Sequence, residues 1–137
     1  MPEKINSRAA AARLSWQIID KGQSLDSVVG DYFVSHQMTP QDRGLVQELV
    51  YGVCRWYGEL DSVATSLLSR PIRRKDRVVH FLLLVGLYQL RHLRTAEHAA
   101  VAETVAACRQ LNKLWAKNLL NGCLRSYLRE QDRAALE

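Results

Sequence analysis

The residues of this chain that could bind or react are mainly cations, and the densest group lies in mid-chain. The segment RPIRRKDR, residues 70–77, holds five cations and one aspartate, a net charge of +4 within eight residues. Cationic side chains on a loop attract phosphates, so this segment is a candidate contact with nucleic acid. The alternative is a solvated connection that binds nothing. The candidate residues are Arg70, Arg73, Arg74, Lys75 and Arg77.

A second group of polar residues recurs at every fourth position near the end of the chain. Its members are Lys113, Lys117, Asn121, Arg125 and Arg129. On a helix this spacing gives a stripe that drifts slowly around the axis and presents cations together with an amide. Such a stripe is either an RNA contact or an ordinary solvated face. We retain Lys117, Arg125 and Arg129 as candidates for RNA binding.

The side chains that usually carry catalysis show no catalytic pattern. Cys54, Cys108 and Cys123 lack CxxC spacing and lie among apolar residues at helical spacing, which indicates reduced core thiols. A thiol inside a helix, without an acid or base to activate it, is a poor nucleophile. The four histidines lack metal-ligand spacing, and the seven glycines do not cluster into a cofactor loop. We therefore expect no catalytic residue, metal site or cofactor site in this chain.

Length and composition predict a single globular domain. The chain has 137 residues, 47% of them hydrophobic, which is enough to bury about two-thirds of the unfolded surface. The formal charge of +5 favours anionic partners such as nucleic acid, without selecting one. The first residues, MPEKINSRAAAARLSW, contain no apolar signal-peptide core. Together with the reduced thiols, this favours the cytoplasm.

These candidates need a scaffold, and the sequence predicts one around residues 77–93. Apolar side chains in this stretch point in every direction of a helical period, which is typical of a helix buried on all sides. A membrane span is excluded because the uninterrupted apolar run, residues 81–88, is less than half of the roughly 20 residues required. Gly86 in mid-helix, like Gly52 in an earlier one, predicts close approach of a neighbouring helix.

Six further helices are predicted around this central one. We expect the first over residues 7–21 with Asn6 or Ser7 as its cap, the second from a Ser24 cap to residue 35, and the third after Thr39 and Pro40. A break near Gly58 should precede a fourth helix over residues 61–68. The last two should run from a Thr95 cap to about residue 111, and from about residue 114 onward. Since no segment alternates like a strand, the sequence predicts an all-α bundle of about seven helices.

Four segments in a fixed order resemble one family. The segments are DRGLVQELVYGVCR (residues 42–55), VGLYQLRHL (85–93), HAAVAETV (98–105) and NLLNGCLR (118–125). Together they are similar to the N-terminal domain of the RsmB family, also called Fmu or Sun, of bacterial 16S rRNA cytosine-C5 methyltransferases. That domain is related to the antitermination factor NusB. The resemblance covers almost the whole chain, from Arg8 to Arg129.

The resemblance implies a compact, NusB-like RNA-binding domain over residues 1–137. In the family, this domain helps to place 16S rRNA for a C-terminal methyltransferase domain in the same chain, and that domain uses S-adenosylmethionine. Related factors also bind RNA through a basic N-terminal segment, which implies RNA contacts by Arg8 and Arg13. These two arginines lie roughly 140° apart around a helix axis and do not form one tight patch.

The chain also departs from the full enzymes of this family. Their catalytic cysteines follow a proline, whereas Pro2, Pro40 and Pro71 precede no cysteine here. We therefore expect no methyl transfer by this chain alone, and we interpret its charged tail, REQDRAALE, as the start of a connection to a missing catalytic half. One alternative is a free-standing NusB-type transcription antitermination factor that binds RNA and a ribosomal protein. Another is an interdomain scaffold with little RNA affinity.

Overall fold

The computed structural model describes residues 3–136, which form seven α-helices and no strand. The helices are α1 (Ser7–Ile19), α2 (Leu25–Ser35), α3 (Pro40–Arg55), α4 (Tyr57–Leu67), α5 (Arg77–His92), α6 (Glu97–Ala106) and α7 (Lys117–Leu136). Short 3-10 turns, Arg74–Asp76 and Leu114–Ala116, lead directly into α5 and α7. The predicted all-α bundle of about seven helices is confirmed. The charged tail REQDRAALE, residues 129–137, is helical up to Leu136, and Glu137 lies outside the described residues.

Helix α5 is the centre of the bundle. Every residue from Val79 to Gln89 is buried, and Phe81, Leu83 and Leu87 are completely enclosed. The helix packs against α1, α3, α4, α6 and α7, which together cover it on all sides. The prediction of a buried central helix in this stretch is therefore confirmed. Among the described helices, none combines the length and the apolarity that a bilayer crossing requires.

Side-chain caps fix the starts of α1 and α3 as the sequence predicts. The Asn6 side-chain oxygen accepts hydrogen bonds from the backbone N–H groups of Arg8 and Ala9. The Thr39 hydroxyl accepts one from the N–H of Asp42 at 3.1 Å. These bonds satisfy donors that the first turn of a helix leaves without partners. The turn after α1 includes Gly22 with a φ of +67°, a conformation that suits glycine.

Two predicted helix starts differ from the structure, and a third, at Ser24, is in the predicted place but lacks a side-chain cap. The break before α4 lies at Trp56 rather than near Gly58, so α4 begins at Tyr57 and is longer than expected. Ser24 is at the N-cap of α2, but its side chain makes no capping hydrogen bond. Ala96, not Thr95, is at the N-cap of α6.

The end of α6 also differs from the prediction. The helix stops at Ala106 instead of continuing to about residue 111. The chain then forms successive turns that end at Asn112, which has a φ of +59°. Asparagine tolerates this left-handed conformation better than most residues do. The turns carry the chain to Lys113, at the entry to α7.

Two glycines allow helices to approach α5 closely, as predicted. A Cβ atom added at Gly52 of α3 would lie 2.0 Å from Cζ of Tyr88, on α5. The Tyr88 hydroxyl donates a hydrogen bond of 2.8 Å to the Glu48 carboxylate, which holds the ring on α3. A Cβ atom at Gly86 would lie 3.0 Å from a methyl carbon of Leu124. Close packing of α3 and α7 on α5 therefore depends on these positions.

Replacing Gly52 should distort the contact between α3 and α5. We expect Gly52→Ala to lower the free energy of unfolding by about 1–3 kcal/mol, because the Tyr88 ring must move away and lose its bond to Glu48. The matched control is Gly44→Ala in the same helix, where an added Cβ meets nothing within 4 Å. It should stabilise the protein by about 0.5–1 kcal/mol. Urea unfolding followed by circular dichroism measures both changes, and equal effects would contradict the close α3–α5 packing.

Candidate nucleic-acid interface

The acidic residue of the mid-chain cationic segment holds that segment in place. Asp76 is buried, and its carboxylate lies 2.8 Å from Nζ of Lys113, which immediately precedes the turn into α7. The Asp76 N–H also donates to the carbonyl oxygen of Arg73 at 2.9 Å. Lys113 thus neutralises Asp76 and fixes the connection between α4 and α5 against the start of α7.

Four cations remain exposed on this connection. We call residues 70–75 the basic loop, and its exposed cations are Arg70, Arg73, Arg74 and Lys75. None of the four forms an ion pair with an acid within residues 3–136. An exposed cation without an acidic partner is available to a phosphate group. Four of the five predicted cations of this segment are therefore exposed without an acidic partner, and three of them, Arg70, Arg73 and Lys75, line one cavity.

The fifth residue, Arg77, has a different environment. Its guanidinium donates two hydrogen bonds, of 2.8 Å and 3.1 Å, to the carboxylate of Asp20 at the end of α1. This hydrogen bonding to Asp20 raises the pKa of Arg77, against the effect of partial burial. The guanidinium also lies over the ring of Phe81, 5.2 Å from its centroid. Arg77 consequently joins α1 to α5, and its charge is already largely compensated.

An exposed tryptophan adjoins the basic loop. Trp115 belongs to the 3-10 turn before α7, and 55% of its surface is exposed. Together with residues 68–73, Lys75, Asp76 and Leu119, it lines an open cavity of about 550 Å³. Sequence analysis did not identify Trp115, because some forty residues separate it from the loop. The sequence nevertheless contained a signal for its exposure. The buried row of the last helix begins at Ala116, so the large apolar residues Leu114 and Trp115 lie outside that row.

The stripe on α7 is exposed but extends away from the basic loop. Lys117 follows the Trp115 turn directly, whereas Arg129 lies twelve residues further, roughly 18 Å along the helix. The Arg125 guanidinium donates to the Asn121 side-chain oxygen at 3.1 Å, and that of Arg129 donates to the Ser126 hydroxyl at 2.9 Å. Of the three candidates on α7, Lys117 is therefore the one that begins next to Trp115, and Arg125 and Arg129 lie progressively further along the helix.

The two N-terminal arginines have different environments, Arg8 at the end of the bundle opposite the basic loop and Arg13 midway along α1. The half-buried guanidinium of Arg8 donates twice to the side-chain oxygen of Gln89, at 3.2 Å and 3.1 Å. Gln89 is completely buried and donates in turn to the hydroxyl of Thr104 at 3.0 Å. Burial lowers the pKa of Arg8, although the charge of Glu103 opposes this effect. Arg13 is exposed, and its guanidinium donates to the carbonyl oxygen of Gln110 at 2.8 Å.

The N-terminal arginines do not share a surface with the basic loop. Gln89, the partner of Arg8, lies twelve residues after Arg77 on α5, a rise of roughly 18 Å along the helix. Within the basic loop, Arg74 faces the opposite end of α1 from Arg8, where it shares a cavity with Trp16, Asp20 and Lys21. The structure thus separates the predicted cations into a main group around the basic loop and two outlying groups.

The three thiols have the environments of core residues rather than of nucleophiles. Cys108 and Cys123 are buried, and Cys54 is half-buried. Burial raises the pKa of Cys54 and of Cys108 to about 11, and it also raises that of Cys123. The Cys123 thiol donates to the carbonyl oxygen of Leu67 at 3.8 Å. Since the thiolate is the reactive form, these environments suppress nucleophilic chemistry.

Comparison with known proteins gives a family and a fold. The profile of the NusB family matches residues 5–129. A protein named "Ribosomal RNA small subunit methyltransferase B" from Cronobacter sakazakii is 40% identical over 137 residues, which cover all of this chain and 32% of the relative. One of the same name from Vibrio vulnificus is 42% identical over 127 residues, 93% of this chain and 29% of the relative. The chain thus spans about a third of the length of these curated relatives.

A solved structure supports the fold independently of close sequence identity. A chain of the structure described as "Crystal Structure of a Plectonemic RNA Supercoil" superposes with a TM-score of 0.79. The superposition covers 92% of this chain and 94% of that chain, at 18% sequence identity. At this identity the likeness establishes the helical arrangement alone.

The raised thiol pKa values predict slow alkylation of the folded protein. With a pKa of about 11 for Cys54 and Cys108, the thiolate fraction at pH 8 should be about a hundredfold smaller than in the unfolded chain. Iodoacetamide labelling with and without urea, followed by mass spectrometry of the peptides, measures the difference. Labelling of Cys54 in the folded protein at the rate of the unfolded chain would contradict this environment.

Proposed function

Because this chain belongs to the NusB family, we propose that it is the RNA-binding N-terminal module of a ribosomal RNA cytosine-C5 methyltransferase. Its role is to position 16S rRNA for a catalytic domain that follows in the same polypeptide. The observation that carries the proposal is the basic loop, which has four exposed cations, three of which (Arg70, Arg73 and Lys75) line one cavity with Trp115. This chain covers only about a third of the length of its relatives, and their names are those of methyltransferases. Both facts support a methyltransferase domain beyond the residues of this chain.

Charge is the physical basis of the proposed RNA contact. Each phosphate that a lysine or arginine neutralises releases counterions from the RNA, and this release drives binding at low salt. The basic loop can neutralise phosphates in this way because its cations are exposed. The neighbouring acid, Asp76, does not compete for them, since it is paired with Lys113. Lys117, Arg125 and Arg129 extend the contact along α7 in this proposal. Phosphate contacts of this kind fix position and orientation without reading sequence.

The N-terminal arginines and Arg77 have narrower roles in this proposal. Arg13 is exposed midway along α1 and offers a further contact, whereas Arg8 keeps part of its guanidinium on Gln89. Arg77 mainly orients the loop through Asp20. The names and lengths of the relatives favour a methyltransferase module over a free-standing antitermination factor. We place its action in the cytoplasm, together with its rRNA substrate.

The methyl donor, S-adenosylmethionine, belongs to the proposed catalytic domain. Nucleotide-like cofactors are commonly cradled by a glycine-rich loop between a strand and a helix. Residues 3–136 contain no strand, and the glycines stand singly along the helices and turns. The residues present here do not fit this cofactor, so we derive no step of methyl transfer from them.

The proposed phosphate contacts predict a specific change in salt dependence. Binding of a 16S rRNA hairpin is measured over a series of salt concentrations for the wild type and for Arg73→Ala combined with Arg74→Ala. The slope of log affinity against log salt should flatten by up to about two units, because two phosphate contacts are lost. A second double variant, Lys117→Ala with Arg125→Ala, tests the stripe on α7 in the same way.

A matched control removes the same charge elsewhere. Arg55 and Arg94 lie near the opposite end of α5, and Arg55 contacts the Trp56 ring, which stacks on His92. Arg55→Ala combined with Arg94→Ala should leave the slope close to that of the wild type. If the loop and stripe variants also keep wild-type affinity and slope, both surfaces are merely solvated. The module would then only hold the catalytic domain.

A further inference from the structure

Among the three tryptophans, Trp115 is the most exposed, with 55% of its surface open to solvent. The Trp56 ring stacks on His92 with 4.6 Å between ring centroids, and Nζ of Lys21 lies 4.2 Å from the ring centroid of Trp16. Within residues 3–136, Trp115 has neither an aromatic nor a cationic partner of this kind, and it is the most exposed of the three. A large apolar ring left in water forgoes the free energy of burial. A ligand that covered this ring would therefore gain binding free energy.

The turn that carries Trp115 is fixed to the rest of the bundle. The ion pair of Lys113 with Asp76 holds the turn on one side, and the Ala116 N–H donates to the carbonyl oxygen of Lys113 at 3.0 Å. Ala116 itself is completely buried. The indole is therefore displayed from an ordered position, which reduces the entropy lost when a ligand covers it.

The surroundings of Trp115 are cationic. Arg70, Arg73 and Lys75 line the same cavity of about 550 Å³, and their long side chains are exposed. A planar apolar ring next to several free cations matches a nucleotide, which has an aromatic base and a charged phosphate. Proteins that bind single-stranded nucleic acids combine these elements, stacking bases on aromatic rings while cations follow the backbone.

The arrangement distinguishes single-stranded from duplex RNA. In a duplex the faces of the bases are covered by their neighbours, whereas an unpaired base can turn outward and stack on a protein side chain. Duplex RNA could therefore use the cations of the basic loop but not the indole. A protein partner is a different possibility, supported by exposed Leu114, but the excess of free cations favours a polyanion.

We propose that Trp115 stacks on an unpaired RNA base while Arg70, Arg73 and Lys75 contact the flanking phosphates. This inference rests on the proposed RNA-binding function and deepens it, because it assigns single-stranded RNA to this surface. The indole contributes affinity for unpaired segments, and the cations contribute affinity for any RNA backbone. The two contributions are therefore separable by experiment.

The test compares Trp115→Ala and Trp115→Phe with Leu114→Ala, a control that removes an exposed apolar side chain from the same turn. Affinities are measured by fluorescence anisotropy for a short labelled single-stranded RNA and for the duplex of the same sequence. Trp115→Ala should weaken binding of the single strand by about fivefold to about 150-fold, the equivalent of about 1–3 kcal/mol per stacked base. Trp115→Phe should retain part of this affinity, since phenylalanine keeps an aromatic face.

All three variants should bind the duplex like the wild type and keep the same slope against salt, because none removes a charge. Circular dichroism melting confirms that each variant is folded. If Trp115→Ala binds the single strand as tightly as the wild type, or no more weakly than Leu114→Ala, the stacking proposal is wrong. If that loss is absent while the wild type still binds both RNAs, the stacking proposal fails and the proposed RNA-binding function stands. If the wild type binds neither RNA, the proposed function fails as well.

Discussion

The complete burial of α5 constrains the rest of this structure. A helix that is apolar on every face must be covered by several neighbours, and here five helices pack around it. Three of these neighbours, α3, α6 and α7, approach closely because Gly52 receives the Tyr88 ring and Gly86 receives Leu124 and Thr104. Since α5 cannot rotate or shift without opening this shell, the segments that precede it and face it are fixed as well. The basic loop and the turn before α7 inherit their positions in this way.

The proposed RNA surface depends on a single acid in a cationic segment. Without Asp76 the segment would carry only like charges, and repulsion between them would favour an extended, mobile loop. The carboxylate gives Lys113 a partner in a half-buried site, and this contact joins two parts of the chain that sequence alone does not connect. The surrounding cations then remain for solvent or a ligand. The Asp76 carboxylate thus positions the cationic surface that we propose binds RNA.

The sequence was a good guide to elements and a partial guide to the candidate site. The central helix and the caps at Asn6 and Thr39 were predicted because their signals are local. The predicted start of α4 was wrong, since the bend lies at Trp56 and Gly58 is inside the helix. The charge run identified the basic loop, yet no local pattern could show that Asp20 engages Arg77, or that Gln89 engages Arg8. The position of Trp115 beside the basic loop could not be predicted, because it depends on which distant segments of the chain meet.

The polar contacts of α1 have a consequence for the order in which the domain can fold during synthesis. The N–H of Asn6 donates to the side chain of Gln110, 104 residues further along the chain, and Arg8 binds Gln89, 81 residues further along. Helix α1 leaves the ribosome first, but a helix of 13 residues is marginal in water without tertiary contacts. It must wait for α5 and for the turns after α6. Most of its contacts are with α3 and α5, and the bond from Asn6 to Gln110 can form only later. The start of the first helix is therefore secured only after most of the module has been synthesised.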